Sequence, residues 1–269
     1  MLSRYIALFV LFLLSSEGFS QGKIDGFYRG QGNLTTVLGF GYEDNRNYLI
    51  GREPSDLSRS TRYLSLFASY GISDNIDVQT SIPYIDNERS SNFQDLSLFA
   101  KYRFLNKSTS KGNFQLSFGL GFSTPLSPYD VGGLFDIGQR ATILDTRILA
   151  HYQWHTQWFV TAQTGFSYKL EEVPNSIPVA IKIGKAANRW YYDVYYEHQY
   201  TFGGIDYRGT PRPQNFRELG VDYHKIGATL YRKIFGNFGT YISYSHIFAG
   251  RNVFQGPSYG LGLVYDFRE

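Results

Sequence analysis

The sequence contains no cysteine. That absence excludes a disulfide framework, a thiolate metal site and a lipid-modified cysteine. Long apolar runs are also missing once the first twenty residues are passed, and the mean hydropathy is −0.29. A helical membrane protein would be far more apolar. Charge of one sign is scarce as well: the net value of +3 is too small to imply nucleic-acid binding. A β-barrel escapes the hydropathy test, because only alternate residues of its strands face lipid. Aromatic and glycine residues are abundant instead, with 23 Tyr, 22 Phe and 28 Gly in 269 residues. An exported, cysteine-free chain of this kind has the profile of a bacterial outer-membrane barrel.

The first twenty residues read as a secretory signal peptide. Arg4 supplies a positive start, and residues 5–14 form an apolar core of ten, too short to span a bilayer as a helix. Gly18 and Ser20 are placed for cleavage before Gln21. The expected organisation is therefore a signal peptide over 1–20, a short periplasmic lead over 21–32, and a barrel over 33–269. The lead looks too short to plug a barrel.

Residues 75–105 show the repeating unit. Ile76, Val78, Thr80, Ile82 and Tyr84 alternate with Asp77, Gln79 and Ser81. Leu96, Leu98, Ala100, Tyr102 and Phe104 then alternate with Ser97, Lys101 and Arg103. Strict alternation means β-strand, since successive side chains point to opposite faces. The apolar faces carry no charge and end in aromatics, as interfacial girdles do.

The same unit recurs along the chain. Leu38, Phe40 and Tyr42 mark strand one, and Leu64, Leu66, Tyr70 and Ile72 strand two. After a polar turn at 106–113, Phe114, Leu116, Phe118, Leu120 and Phe122 mark strand five. Strands six to nine carry Ile148, Val160, Ile181 and Val194 on their apolar faces. Strand ten carries Ile226 and Leu230, the parity of strand eleven stays open, and strand twelve ends in Tyr265 and Phe267. About twelve strands is an even number, as a closed bacterial barrel requires. Long connections follow strands one, five and nine, and short ones follow two, six and eight. The expected fold is an all-β, antiparallel transmembrane β-barrel in the bacterial outer membrane, long loops extracellular. Closure pairs every backbone polar group within the wall.

Pro83-Tyr84, Asp95-Leu96 and Lys101-Tyr102-Arg103 resemble the motifs of the meta-pathway phenol degradation (MetA) family of outer-membrane barrels. Gln94 stands where that family usually has glycine. The resemblance implies a barrel that passes hydrophobic or aromatic small molecules and has no catalytic residues. The final aromatic, Phe267, resembles the signal read by the barrel-assembly machinery, although Arg268 and Glu269 follow it.

Function in such a barrel should lie on the inward face. Asp77, Lys101, Arg103, Arg147, His151, Lys169, Lys182, Asp193, Glu197 and Lys225 fall on that parity. They read either as a charged constriction that selects solutes or as a ladder of paired charges that fills the interior. Tyr63, Phe67, Phe99, Tyr191 and Tyr195 read as a greasy path or as filler. The five histidines are scattered, and His151 and His155 lack an acidic partner at ligand spacing. Ser243, Ser245 and His246 share a strand, but adjacent residues face opposite sides, so no barrel enzyme is expected. The expectation is a monomeric passive channel for a small-molecule solute, without cofactor or metal, surrounded by outer-membrane lipid. The alternatives are a closed barrel with a packed lumen that acts through its loops, or a lipid-modifying barrel enzyme.

Overall fold

The computed structural model describes residues 24–131 and 133–267, and the expected signal peptide over 1–20 lies outside them. Twelve strands form the wall. They are β1 (Leu34–Asn45), β2 (Arg59–Ser73), β3 (Ile76–Asn87), β4 (Asp95–Thr109), β5 (Gly112–Pro125) and β6 (Ile143–Trp154), followed by β7 (Trp158–Lys169), β8 (Ser176–Ala186), β9 (Trp190–Thr201), β10 (Asp222–Phe235), β11 (Phe238–Arg251) and β12 (Phe254–Phe267). Every neighbouring pair is antiparallel. β1 closes on β12 in a continuous register from Leu34 opposite Phe267 to Glu43 opposite Ser258. The wall therefore has no free edge, which lipid would not tolerate.

The outward face shows why these residues make a membrane wall. Leu38, Leu66, Leu98, Leu120, Ile148, Ile181, Val194 and Ile242 are exposed across its middle. Trp158, Trp190, Tyr192, Tyr265 and Phe267 are exposed at the short-turn end, and Tyr42, Tyr168, Tyr200 and Phe248 at the other. Apolar residues at this exposure have no place in water, whereas an aliphatic band between aromatic rims matches a bilayer.

Three local features depart from the alternation. β4 and β5 run on to a two-residue turn at Ser110 and Lys111, where the sequence suggested a longer turn over 106–113. A bulge at Arg103/Leu105 reverses the parity of β4 there, so the hydrophobic pattern stops while the pairing continues. Cross-strand amide contact from Asn113 to Asn106 then holds the polar extension. The long connection after β1 holds a small hairpin (Asn47–Ile50 with Glu53–Ser55) that pairs with the start of β12. In β11, Ile242, Tyr244 and Phe248 face out, and Tyr241 and Ser245 are buried. Aromatic and aliphatic residues on both faces of that strand erased its sequence signal.

Replacing Leu66 by Arg puts a charge at mid-wall on the lipid side. It should lower unfolding stability in phospholipid by about 2–4 kcal/mol, measured by reversible denaturation in vesicles. A loss within experimental error would place β2 in another register.

Candidate functional site

Residues 24–29 of the segment expected to be a periplasmic lead lie inside the barrel. From the short-turn rim, Gly32 and Asn33 bond the backbone of Gly71, and the chain before them climbs into the lumen as far as Ile24. Ile24 is 2 % exposed and packs with Phe99 and Leu149. Phe27 meets His151 and Phe159 edge-on at 4.8 and 5.0 Å. Tyr28 donates to Ser117 Oγ at 2.9 Å. Gly26 is required where it sits, since a Cβ there would lie 2.3 Å from the His151 ring. Length argued against a plug, but a densely apolar and charged run of six residues fills the centre of so narrow a wall.

Buried charge fixes the segment. Lys101 on β4 has a fully buried side chain, and its Nζ donates to Asp25 Oδ1 at 2.8 Å, to the Asp25 carbonyl at 3.0 Å and to the Phe27 carbonyl. Asp77 on β3 lies 3.5 Å from the same Nζ and accepts from the Arg29 backbone N–H. Arg29 reaches Asp25 at 2.7 Å. Burial pushes the Asp25 carboxyl up, but Lys101 and Arg29, with hydrogen bonds from Lys101 and the Phe27 N–H, outweigh it and hold the group below the ordinary carboxylate range.

The other inward charges pair along the wall. Arg147 meets Asp145 at 2.9 Å, Lys182 meets Asp193 at 3.1 Å and Lys225 meets Glu197 at 2.5 Å. Arg103 lies at the short-turn rim, donating to Asn75 Oδ1 and to the Asp74 carbonyl. His151 is 2 % exposed and shares a hydrogen bond with Thr161. Lys169 stands on the wall of a cavity at the long-loop end. The geometry brings Asp77 and Lys101 together, with His151 nearby against Phe27, and spreads Arg147, Lys182, Asp193, Glu197 and Lys225 in separate pairs. Asp25, Arg29 and Asp145 escaped sequence reasoning. The signal available for the first two was Ile, Phe and Tyr interleaved with opposite charges in a stretch otherwise expected to be a tail.

The connection at 126–142 folds across the other end of the lumen as a strap. Tyr129, 2 % exposed, donates to Asp95 at 2.6 Å, and Gln94 donates to the Ile137 carbonyl at 2.7 Å. Arg59 holds the carbonyls of Leu134 and Asp136. The strap leaves a chamber of about 460 Å³ against β2 and β3, with Tyr63, Phe67, Pro83, Ile85 and Phe99 on its wall and Ile24 below. A second, more polar chamber of about 450 Å³ lies on the strap's other side, lined by Arg147, Gln163, Lys169, Glu197 and Lys225. Among the described residues no group of three or more His, Cys, Asp or Glu side chains could hold a metal ion.

A family model described as "Putative MetA-pathway of phenol degradation" matches residues 28–261. The chain belongs to this family. Solved barrels share the family member's fold. An outer membrane channel from Pseudomonas putida F1 aligns with TM-score 0.73 at 12% identity, over 93% of this chain and 100% of that one. The NanC porin aligns with TM-score 0.56 at 11% identity, over 86% and 98%. No curated protein sequence matches. The fold is that of bacterial outer-membrane barrels.

The lowered Asp25 carboxyl keeps its pair with Lys101 charged well into acid. Its contribution is present above the ordinary carboxylate range and is lost as pH falls through the depressed value. The chain has no cysteine, so Gln31→Cys accepts a single spin label. Its electron-spin-resonance line should stay immobilised from pH 8 to 5 and sharpen only in stronger acid. Sharpening between pH 7 and 5 would contradict the Lys101–Asp25 geometry.

Proposed function

We propose that this barrel is a passive route by which small hydrophobic or aromatic molecules cross the outer membrane. The observation that carries the reading is the lumen itself. Its centre is packed by the Ile24–Arg29 segment, while the chamber above is walled by Tyr63, Phe67, Pro83, Ile85 and Phe99. Such a path suits a molecule that exchanges water for apolar contact, and it hinders hydrated sugars and ions. The family membership and the channel fold of the Pseudomonas putida barrel support it. The ten inward residues then serve mainly to brace the wall and seat the segment. Solute passage through a single barrel needs no catalytic group, and Ser245 is buried while its neighbour His246 takes the opposite parity. Assembly would use the barrel-assembly machinery, with surrounding lipid as the solvent of the outer face.

The paired charges and the Ile24–Phe99–Leu149 cluster favour a second reading, a closed barrel that acts through its loops. Flux separates the two. In vesicles with a lipopolysaccharide outer leaflet, the barrel should accelerate entry of N-phenylnaphthylamine and add little swelling in arabinose. No acceleration of either supports the closed barrel, and rapid arabinose swelling an open porin.

A further inference from the structure

The lipid-facing wall carries a cluster of hydrogen-bonding and cationic groups at its long-loop end that neither the waist nor the chambers use. His198 on β9 and His224 on β10 stand opposite each other, their rings stacked with centroids 4.3 Å apart. Both follow the outward parity, which Val194 and Tyr200 show on β9 and Ile226 and Leu230 on β10 by their exposure. Apolar side chains are the ordinary choice on that face. Arg52, in the hairpin that follows β1, lies 3.8 Å from Asp222 at the start of β10, with its side chain 75 % exposed. These groups, with Tyr200 and Phe248, line an outer-wall cavity of about 480 Å³.

The hydrogen-bond pattern points to an anion. His198 Nδ1 donates to the Tyr223 carbonyl at 2.9 Å, and His224 Nδ1 shares a hydrogen bond with the Tyr196 hydroxyl at 2.7 Å. The Nδ1 atoms are thus used within the wall, which leaves Nε2 of each ring to a ligand. With the Tyr196 hydroxyl donating, a neutral His224 carries its proton on Nε2, and His198 presents one there as the cation. Asp222 is the single carboxylate on the lining, and it accepts from the Thr201 N–H at 2.7 Å. Its distance from Arg52 is too long for a hydrogen bond, so the guanidinium keeps its planar fork for a phosphate.

Position selects the source of that phosphate. Tyr200 and Phe248 belong to the aromatic rim at the membrane–water interface. Towards the middle of the wall, exposed Val194 and Ile226 continue the two strands as an aliphatic track. A free ion gains nothing from such a track, whereas a lipid sets its phosphate at the interface and its chains against the wall.

We propose that this cavity binds the phosphate of a phosphorylated outer-leaflet lipid. Arg52, His198 and His224 hold the phosphate, and the acyl chains lie over Val194 and Ile226.

Native mass spectrometry of the barrel released from detergent tests this by counting retained lipid. Lipid A with its phosphates should be retained roughly tenfold more than the same lipid with the phosphates removed, the scale of one charge-assisted contact. Arg52→Gln combined with His224→Gln should erase the difference. Arg232→Gln, which removes an exposed arginine stacked on Trp190 at the short-turn end, should leave it intact. Heat-modifiable gel mobility confirms that each variant is folded. Equal retention of the two lipids by the unaltered barrel would overturn the proposal without any variant. So would a preference undiminished in the folded double variant, or one lost equally in Arg232→Gln. Displacement of the lipid by equimolar inorganic phosphate would also overturn it, since the site would then serve a free anion.

Discussion

One buried cation organises the interior. Lys101 sits in the middle of β4 with no access to water, and such a charge is stable only when paired and hydrogen-bonded. Asp77 on the adjacent strand gives one partner at 3.5 Å, and the incoming segment gives the closer one through Asp25. Without residues 24–29 the lumen would hold a lysine facing one carboxylate across a gap. With them, the cation gains a carboxylate and two backbone carbonyls, and the segment gains a fixed place. Replacing the cation by a neutral side chain would leave two carboxylates facing each other in a poorly solvated space.

The remainder of the lumen follows from where that segment packs. Ile24 packs against Phe99 and Leu149 at the centre and lines the apolar chamber from below. The strap at 126–142 closes the chamber from the other side through Tyr129, Gln94 and Arg59. Two short pieces of chain thus leave two small cavities above a packed waist. The wall needs only aliphatic residues outward and satisfied pairs inward, and the salt bridges of β6, β8, β9 and β10 supply the latter.

The wall was legible because lipid imposes a rule of period two on every strand. Leu64, Leu66, Tyr70 and Ile72 obey it, and so do Trp190, Tyr192 and Val194, and the twelve strands lie where that alternation falls. It failed where a bulge shifted the parity at Arg103 and where β11 carries apolar groups on both faces. The interior was less legible. Lys101 and Asp77 read as inward, but sequence gives no distance between them and nothing ties either to Asp25, fifty or more residues earlier. Contact across the lumen is set by barrel radius, which alternation does not encode.

The central claim is that Lys101 latches the segment and the latched segment closes the waist. Single-channel recording of the refolded barrel and of its Lys101→Met variant in planar bilayers tests this most directly. The unaltered barrel should stay closed to ions, and the variant should open in stable steps as Asp25 and Asp77, left with only Arg29 between them, loosen the segment. Equal conductance from two correctly folded barrels would contradict the account, because the segment would then be held by something other than the buried lysine, or would not close the path.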